Sequence, residues 1–440
     1  MMKIKKSVKK RMYVVIGKGA REHSIAWKLR MSESTGEIIC APGNVGTEEI
    51  AENTMFDAND VGGLSAALYH FNDLSEDKID AVIIGPEDPL ASGIVDRLQE
   101  LGIPTFGPTK NAAMLESSKV FMKLFCKRHG IPTADFIVCR GTEDVRKKLK
   151  KFVREYRGYP VVVKISDLAE GKGAIVCKSR KQVLAFLKQI DRGDFKNYGG
   201  EIILEECLKG VEASFIVMVD INDYIKKLVT ALDYKRAYDN DHGPNTGGMG
   251  GVSPNPFVTE DIERKIMRKI IIPVIRGMRE EDNPYAGFLY AGVMIVNGEP
   301  YLLEINVRLG DPEAEVILPR MKSDFGELII AAIEGNLDKK RIHWDPQPCV
   351  TIVHASKRYP RKDYKKGFEV EGFEEVRAMG AIPFVAGLKK REDGKIVTDG
   401  GRNFTISAKG KDVTAARKLA YAASAKIKCK NLFHRKDIAA

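Results

Sequence analysis

The sequence predicts an α/β protein that begins with a doubly wound parallel sheet and ends with a small β-rich domain. Over about residues 12–115, short apolar segments alternate with amphipathic helical segments, which is the pattern of a parallel sheet covered on both faces. Three of these apolar segments run into glycine-containing loops, at the ends where such sheets bind ligands. Beyond Trp344, short apolar segments are separated by Pro, Gly and charged residues, which is typical of a β-rich tail.

The first predicted elements follow the order of a doubly wound sheet. Residues 13–16 read as a buried strand, followed by a glycine turn and a helix that turns Ile25 and Leu29 inward. The segment "EIICAPGN" ends a second strand in a Pro-Gly turn. Residues 81–84 form a third strand, and "IPTFGPT" forms a shorter fourth.

The middle of the chain is predicted to mix helices and strands. Its predicted elements are, in order, a helix over 111–130, strands over 159–166, 201–208 and 213–220, a helix over 255–280, a hairpin over 287–305 around Asn297-Gly298, and a helix over 324–335. The stretch "GPNTGGMGG" (243–251) has five glycines in nine residues, so no regular structure is expected there.

Length, charge and cysteine content limit the class of protein. A chain of 440 residues allows two to four domains, and no membrane span is expected because no run of 18 apolar residues exists. Seven cysteines lie far apart without a C-x-x-C pair, so we expect neither a disulfide framework nor a structural zinc site, and a cytoplasmic location fits. Residues 341–440 hold 22 Lys and Arg against 11 Asp and Glu, whereas 13–340 are net acidic. Nucleic-acid binding is therefore not expected of the body of the protein, and the basic last quarter leaves non-specific RNA binding as an alternative.

Two loops of the first domain carry candidate ligand-binding groups. "GKGAREH" (17–23) is similar to a dinucleotide-binding turn, but Glu22 stands in place of the third glycine, which disfavours a nicotinamide cofactor. Its backbone amides still suit a phosphate or a small polar ligand. In "APGNVGT" (41–47), Asn44 and Thr47 would add side-chain hydrogen bonds to a phosphate, and an ordinary turn is the alternative.

A lysine-containing loop and a buried lysine point to polyphosphate binding. "EGKGA" (170–174) joins two predicted strands and lacks the Walker spacing. Lys164 ends an apolar strand, and a buried ammonium needs a partner. We expect Lys164 and Lys172 to converge on one polyphosphate, with a solvent-exposed turn as the alternative.

The segment "YLLEINVRLGDPE" (301–313) combines metal-binding and anion-binding side chains. Strand alternation predicts that Leu302, Glu304, Asn306 and Arg308 share one face. Glu304 and Asn306 offer the hard oxygen ligands that suit Mg²⁺ held jointly with nucleotide phosphates. Arg308 can hold a phosphoryl or carboxylate group through two hydrogen bonds. The apolar neighbours in this strand argue against the alternative of a solvent-facing polar strand.

Taken in order, these segments resemble the ATP-grasp enzymes and, within them, the family of phosphoribosylamine–glycine ligases, also called glycinamide ribonucleotide synthetases. The segments that carry the resemblance are "GKGAREH", "APGNVGT", "GPEDPLASGIVD", "FGPTKNAAMLESSKVFMK", "HGIPTA", "LAEGKGAIV", "GVEASFIVMVD", "GPNTGGMGG", "GFLYAGVMI", "EINVRLGDPE" and "RKDI". The resemblance is strong over about residues 12–335 and weaker beyond.

The resemblance implies a reaction and a domain plan. The reaction is ATP-dependent ligation of glycine to 5-phosphoribosylamine through a glycyl phosphate, giving glycinamide ribonucleotide, ADP and phosphate in purine synthesis. The plan is a Rossmann-like domain (12–115), an ATP-grasp domain (116–335) with a mobile lid at about 131–205, and a β-rich domain (341–440). ATP would be a co-substrate with Mg²⁺ or Mn²⁺, and the partners would be small molecules, with no membrane and no nucleic acid. The chain would act as a monomer or homodimer.

The resemblance also assigns roles to individual residues. The ATP phosphates would be held by Lys119, Lys164, Gly171, Lys172 and Gly173. The adenine and ribose would be held by Glu205, Glu212 and the backbone of Glu206 and Leu208. The metal ligands would be Glu304 and Asn306. The phosphoribosylamine side would be lined by Gly19, Asn44, Gly46, Thr47 and Glu87. Glycine and the transferred phosphoryl group would be held by Asp233, Lys235, Arg236, Gly248 and Arg308, with Asp233, Lys235 and Arg308 in the catalytic roles.

Several positions depart from the family pattern. The family often reads "DGLAAGKG" where this chain reads "SDLAEGKG", so Asp167 and Glu170 bring carboxylates to the phosphate loop. Near residue 355, "SKRYPR" replaces the usual "GGYPG", and "GDPEA" replaces "GDPET". Two alternatives stay open: an ATP-grasp ligase for a different acid and amine, and an inactive relative that binds RNA through its basic last quarter.

Overall fold

The computed structural model describes residues 9–156, 158–167, 173–195 and 198–440. Its N-terminal sheet is parallel, with the strand order β3-β2-β1-β4-β5. The strands are β1 (Arg11–Gly17), β2 (Thr35–Pro42), β3 (Glu52–Asn53), β4 (Ile79–Ile84) and β5 (Thr105–Phe106). The helices are α1 (Ala20–Arg30), α2 (Val61–Leu74), α3 (Glu87–Ala91) and α4 (Ile94–Glu100).

Both faces of this sheet are buried, which confirms the predicted doubly wound architecture. Val14 and Ile16 of β1 belong to one hydrophobic cluster, and the intervening Tyr13 and Val15 belong to another. Because consecutive strand residues point to opposite faces, the unbroken apolar run of β1 reflects burial on both sides.

The predicted long helix over 111–130 is two helices in the structure, α5 (Met114–Ser117) and α6 (Lys119–Arg128). Ser118 adopts an extended backbone conformation, and its side chain accepts a hydrogen bond from the amide of Phe121 at 3.1 Å. A serine in this position caps the helix that follows. The interruption therefore places Lys119 in the first turn of α6, at the edge of the site described below.

An antiparallel sheet follows, with the order β6-β9-β7-β8. It contains β6 (Phe136–Arg140), β7 (Val161–Ile165), β8 (Ala174–Cys177) and β9 (Glu201–Glu206), together with α7 (Gly141–Glu155) and α8 (Arg180–Asp191). Its core is a separate hydrophobic cluster of its own residues, including Phe152 and Phe186. A region with its own core can move as a unit relative to its neighbours.

The central sheet is also antiparallel, with the order β11-β10-β16-β17. It contains β10 (Val211–Val219), β11 (Ile225–Lys227), β16 (Gly287–Val296) and β17 (Glu299–Asn306). The predicted helix over 255–280 is α9 (Glu260–Ile266), a π-helical turn over Met267–Ile271 and α10 (Ile272–Glu280). Two shorter helices, α11 (Ala314–Ile317) and α12 (Phe325–Ile333), pack beside the N-terminal sheet.

The C-terminal sheet recruits strands from the middle of the chain. Its order is β12-β15-β18-β22-β19, with β23 also paired to β18. Its strands are β12 (Leu232–Asp233), β15 (Gly250–Ser253), β18 (Cys349–Ser356), β19 (Ile382–Val385), β22 (Arg402–Lys409) and β23 (Leu432–Phe433). Two hairpins and two helices complete this region. The hairpins are β13 (Arg236–Tyr238) with β14 (His242–Asn245), and β20 (Leu388–Lys390) with β21 (Ile396–Thr398). The helices are α13 (Phe373–Ala378) and α14 (Val413–Ser424).

The expectation that residues 243–251 lack regular structure is therefore wrong at both ends of that stretch. β14 ends at Asn245 and β15 begins at Gly250. Gly250 is needed in a strand because a Cβ there would overlap the backbone of Thr351 on β18 and the side chain of Ile438. The glycines serve close backbone packing and not disorder. Among the described residues, none of the helices combines the length and the apolar character that crossing a bilayer requires.

Candidate active site

The sheets enclose a cavity of about 730 Å³. Residues from all three parts of the described chain line it. From the N-terminal part and the helices that follow, they are Arg21, Glu87, Glu116 and Lys119. From the central part, they are Gly173, Ala174, Asp233, Lys235, Tyr290, Glu304, Asn306, Arg308, Asp311 and Glu313, and from the C-terminal part Tyr359, Lys362, Lys366 and Arg402. Charged residues dominate this lining, which suits ionic substrates.

The face prediction for β17 is correct for Glu304 and Asn306 and wrong for Leu302 and Arg308. Glu304 pairs with Gly292, whereas Leu302 pairs with Val293, so Leu303 is an extra residue in a β-bulge. The bulge turns Leu302 into the apolar core and Glu304 into the cavity. The strand ends at Asn306, so Arg308 reaches the cavity from the loop that follows.

Glu304 is held ionised by lysines. Its Oε1 accepts a hydrogen bond from Nζ of Lys235 at 3.1 Å. The charges of Lys235, Lys164 and Lys119 lower the pKa of Glu304 to about 2, although burial opposes ionisation. A carboxylate that stays charged and an amide oxygen two residues away, at Asn306, are hard donors of the kind that a divalent cation prefers. The donor set fits a cation shared with phosphate oxygens, since no trio of His, Cys, Asp or Glu within the described ranges is placed to hold a metal alone.

Arg308 is clamped between two carboxylates. Its Nη2 lies 2.8 Å from Oε1 of Glu116, and its Nε lies 3.3 Å from Oε2 of Glu87. Burial disfavours the charge on Arg308, but these two carboxylates raise its pKa above the ordinary value. Burial raises the pKa of Glu116 to about 7, even though Arg308 acts in the opposite direction. The guanidinium is therefore a fixed, oriented positive charge facing the cavity.

Asp233 presents an unsatisfied carboxylate oxygen. Its Oδ1 is buried and has no hydrogen-bond partner among the described residues. Burial, with a further contribution from Glu313, raises the pKa of Asp233 well above its ordinary value. Gly248 lies against it with a φ of +109°, and a Cβ there would press on both Oδ1 of Asp233 and Pro312. Such an oxygen can accept a hydrogen bond from a substrate ammonium group.

Two predicted ATP lysines lie on either side of the junction between α6 and the β6–β9 sheet. Nζ of Lys119 donates to the backbone oxygen of Asp167 at 3.0 Å and lines the cavity. Nζ of Lys164 lies 2.5 Å from Oε2 of Glu205 and donates to the backbone oxygen of Leu303 at 3.2 Å. Burial lowers the pKa of Lys119, with Glu304 acting in the opposite direction.

Glu205 belongs to a buried ion cluster that the sequence did not predict. Its side chain is 1% exposed, and its Oε1 is paired with Nζ of Lys123, which also donates to the hydroxyl of Thr133. Both oxygens of Glu205 are therefore bound by lysines, one on α6 and one on β7. The assigned contact of its carboxylate with adenine stays a prediction, and the structure gives Glu205 a second task, which is to hold Lys164.

The other predicted nucleotide-binding residues lie around this junction. Glu206 ends β9, with its amide donating to the backbone oxygen of Asp135, and Leu208 lies in the connection to β10. Oε2 of Glu212 lies 3.8 Å from Nζ of Lys235 beside a smaller cavity. Gly173 lines the main cavity, whereas Gly171 and Lys172, like Glu170, lie outside the described residues. Asp167 accepts a hydrogen bond from the amide of Gly199 at 2.8 Å, which gives this carboxylate a partner.

The glycine loops of the N-terminal sheet are closed by their own side chains. The carboxylate of Glu22 accepts hydrogen bonds from the amide of Gly19 at 2.5 Å and from Nε of Arg21 at 2.6 Å. A Cβ at Gly17 or Gly85 would collide with the side chain of Glu22. The carboxylate thus fills the turn in which a dinucleotide pyrophosphate would lie, which gives a physical reason for the absence of the third glycine.

Asn44, Gly46 and Thr47 lie at the contact between the N-terminal and C-terminal regions and do not line the main cavity. Nδ2 of Asn44 donates to the backbone oxygen of Val385 at 2.9 Å, and its Oδ1 accepts from the amide of Gly46 at 2.8 Å. The hydroxyl of Thr47 donates to Oδ1 of Asn53 at 2.7 Å. In the observed state these polar groups stabilise the loop and its contact with β19. Arg236 is also away from the cavity, with Nη1 donating to the backbone oxygen of Gly243 in the β13–β14 hairpin.

Sequence reasoning missed Glu116, Arg402, Tyr290 and Glu313. Nη1 of Arg402 lies 2.8 Å from Oδ1 of Asp311 and donates to the backbone oxygen of Gly247 at 2.5 Å. The hydroxyl of Tyr290 donates to Oε1 of Glu313 at 2.8 Å. A weak signal existed for two of them. Glu116 lies three residues before Lys119, and Arg402 follows a pair of glycines.

Comparison with known proteins places this chain in a family. Models for the N domain, the ATP-grasp (A) domain and the C domain of phosphoribosylglycinamide synthetase match residues 12–116, 117–314 and 349–440. The phosphoribosylamine–glycine ligases of Vibrio vulnificus (strain CMCP6) and Escherichia coli (strain K12) are each 43% identical over 429 residues, which is 97% of this chain and 97% of theirs. A crystal structure of the phosphoribosylamine–glycine ligase of Thermotoga maritima superposes with a TM-score of 0.81 at 32% identity, covering 97% of this chain and 100% of that one. The predicted resemblance is therefore confirmed, and the chain belongs to the phosphoribosylglycinamide synthetase family.

Proposed function

We propose that this protein is a phosphoribosylamine–glycine ligase. It would join glycine to 5-phosphoribosylamine through a glycyl phosphate, giving glycinamide ribonucleotide, ADP and phosphate in purine synthesis. The observation that carries the proposal is one cavity that brings together Lys119, Glu304 with Asn306, and the clamped Arg308. These groups are what a phosphoryl transfer to a carboxylate requires: a cation site, a phosphate-binding lysine and a fixed guanidinium.

The proposed chemistry has two steps at one place. A carboxylate oxygen of glycine attacks the γ-phosphorus of ATP, the bond between the β- and γ-phosphates breaks, and ADP leaves. The amine of phosphoribosylamine then attacks the acyl carbon, loses a proton, and phosphate leaves with the former carboxylate oxygen. Both steps build negative charge on oxygens of the transferred group. The orientation of Arg308 by Glu116 and Glu87 supplies stabilising charge without reorganisation during the reaction.

ATP-grasp ligases use ATP and divalent metal ions, and the donor set at Glu304 and Asn306 fits such an ion. We assign Mg²⁺ or Mn²⁺ to these two oxygens, where it would neutralise charge on the phosphates. In the structure, Nζ of Lys235 donates a hydrogen bond to the carboxylate of Glu304, so the ammonium charge occupies the position proposed for the metal ion. The unpaired Oδ1 of Asp233 would accept a hydrogen bond from the ammonium group of glycine. With the metal ion bound, the ammonium of Lys235 would leave Glu304 and contact the phosphoryl oxygens.

The remaining assignments are proposals on the same basis. Lys119 and Lys164, with Gly171, Lys172 and Gly173, would hold the triphosphate, and the 131–205 region would act as the lid that excludes water from the acyl phosphate. Glu205, Glu206, Leu208 and Glu212 would surround the adenine and ribose. Gly19, Asn44, Gly46, Thr47 and Glu87 would lie on the phosphoribosylamine side, with Arg236 and Gly248 near glycine. The domain limits of 12–115, 116–335 and 341–440, the cytoplasmic location and a monomeric or homodimeric state belong to the same proposal.

A coupled assay of phosphate release tests the function. Purified protein with ATP and a divalent ion should release phosphate rapidly when glycine and phosphoribosylamine are both present, and at a small fraction of that rate when either is omitted. Mass spectrometry should find glycinamide ribonucleotide in equal amount to ADP. Substitution of other amino acids for glycine tests for a ligase of a different acid. Equal phosphate release with and without the two substrates would refute the proposal.

A further inference from the structure

The cations that line the cavity differ in whether a carboxylate already compensates them. Arg308 is paired with Glu116 and Glu87, Lys235 with Glu304, Arg402 with Asp311, and Arg21 with Glu22. Lys119 is bound to backbone oxygens and to no carboxylate within 4 Å in the described part of the chain. Uncompensated positive charge therefore remains at that end, where the proposed function places the ATP phosphates.

A second uncompensated positive region lines the cavity from the C-terminal part of the chain. The loop over residues 357–366, "KRYPRKDYKK", holds six basic residues and one acid. Lys362 and Lys366 line the cavity together with Tyr359 and Tyr364. Lys362 has no hydrogen-bond or ion-pair partner within the described ranges, and the one acid of the loop, Asp363, is taken by Arg358 and Arg361.

Lys366 is also incompletely compensated. Its Nζ lies 3.5 Å from Oδ1 of Asp399, and the same oxygen lies 3.4 Å from Nζ of Lys389. One carboxylate shared between two lysines leaves net positive charge. Unlike the arginines deeper in the cavity, Lys366 is exposed and can turn toward a ligand.

The loop is anchored so that these lysines stay at the cavity. The hydroxyl of Tyr359 accepts a hydrogen bond from the amide of Gly247 at 3.1 Å, across to the central part of the chain. Gly401 has no side chain, and a Cβ there would overlap the ring of Tyr359 and approach that of Tyr364. The two tyrosines pack over this glycine, next to Arg402. The rings also give the loop a flat surface beside the lysines, of the kind that packs against a sugar.

We propose that Lys362 and Lys366 form a subsite for the phosphate monoester of phosphoribosylamine, with the ring of Tyr364 beside the ribose. This inference rests on the proposed function, and it names which end of the cavity takes the second anionic substrate. The ATP phosphates are placed at the Lys119 end, so the sugar phosphate takes the other uncompensated end. Its amine then points inward toward Arg308, where the acyl phosphate forms.

Calorimetry with ribose 5-phosphate, a stable sugar phosphate, tests the subsite without catalysis. The full-length protein should bind ribose 5-phosphate at least about tenfold more tightly than ribose, since the phosphate supplies the contacts to the lysines. The variant K362Q/K366Q should lose that advantage. The control K357Q/K365Q removes the same charge from the same loop at residues that do not line the cavity, and it should keep the advantage.

Three results would overturn the subsite. They are equal binding of ribose and ribose 5-phosphate by the wild-type protein, unchanged binding in K362Q/K366Q, and an equal loss in the control pair, which would show long-range attraction by net charge. In the ligation assay, K362Q/K366Q should raise KM for phosphoribosylamine and leave KM for ATP and glycine unchanged. A wild-type protein that binds ribose 5-phosphate but makes no product would refute the proposed function and leave the subsite standing.

Discussion

Replacing Lys123 by Met should weaken both the fold and the binding of ATP. Lys123 is 0% exposed, and its ammonium is bound to Glu205 and to the hydroxyl of Thr133. Hydrogen bonds to charged groups contribute about 1.5–3 kcal/mol each, and breaking a buried ion pair costs about 3–5 kcal/mol when the remaining charge is left alone. Glu205 keeps Lys164 at 2.5 Å, so we expect a loss at the lower end, about 2–3 kcal/mol.

The effect on ATP follows from the same geometry. With Lys123 absent, Lys164 becomes the one remaining counter-ion of this buried carboxylate among the described residues, and the pairing holds its ammonium away from the nucleotide phosphates. A weakened contact to one charged phosphate oxygen corresponds to about 1.4 kcal/mol, or a tenfold higher KM for ATP. The maximal rate should change much less, because Lys119, Glu304 and Arg308 are untouched.

Urea denaturation and steady-state kinetics measure the two effects. Lys127→Met is the matched control, because Lys127 is exposed one turn further along α6 and its substitution removes the same charge. The control should keep wild-type stability and wild-type KM for ATP. The reasoning is refuted if Lys123→Met matches the control in both measurements, or if KM for ATP stays constant while stability falls.

Three further predictions follow from the site and its supports. Glu304→Gln keeps the shape of the side chain but removes its charge, so metal-dependent turnover should fall about a hundredfold, or ~3 kcal/mol of barrier, in a protein that still folds but melts at a lower temperature, because Lys235 loses its counter-ion; wild-type turnover would contradict the metal role. Burial lowers the pKa of His354 to about 3, so between pH 6.5 and 3 the unfolded state binds a proton that the folded state does not, and stability falls as pH falls. His354→Phe, which keeps the stacking on Phe404, should reduce that slope by up to about 1.4 kcal/mol per pH unit in urea titrations at pH 6 and 5, and equal slopes would exclude the effect. Gly46→Ala should destabilise the protein by about 1–3 kcal/mol, because the added Cβ overlaps the ring of His23; an unchanged melting curve would show that the contact relaxes freely.

Local pattern was enough to predict the main strands of the N-terminal sheet, the β16–β17 hairpin and the order of the motifs, but not β6. Periodicity and residue type reveal the apolar run of β1 and the acid–amide pair at Glu304 and Asn306, because each is a pattern of residues close together in the sequence. The bulge at Leu303 was not predictable in this way. It is a shift in the pairing of β17 with β16, and a single added residue reverses which face each later side chain occupies.

Pairs of residues that are far apart in the sequence and meet only in the fold could not be predicted from local sequence pattern. Lys123 and Glu205 are 82 residues apart in the chain and meet because α6 packs beside β9. Glu116 binds the amide of Val307, 191 residues away, and the guanidinium of Arg308. Arg402 reaches the cavity from the C-terminal sheet. The neighbouring residues give at most a weak signal that Glu116 or Arg402 belongs to a site, and they do not identify the partner, because the contact is created by tertiary packing.

The central claim is that the carboxylate of glycine becomes an acyl phosphate at this site before the amine attacks. Glycine labelled with ¹⁸O in both carboxylate oxygens tests it, using mass spectrometry of the phosphate released with ATP and phosphoribosylamine. If glycyl phosphate forms, one labelled oxygen leaves with each phosphate and one stays in glycinamide ribonucleotide. Phosphate free of label, with product formed, would contradict the account.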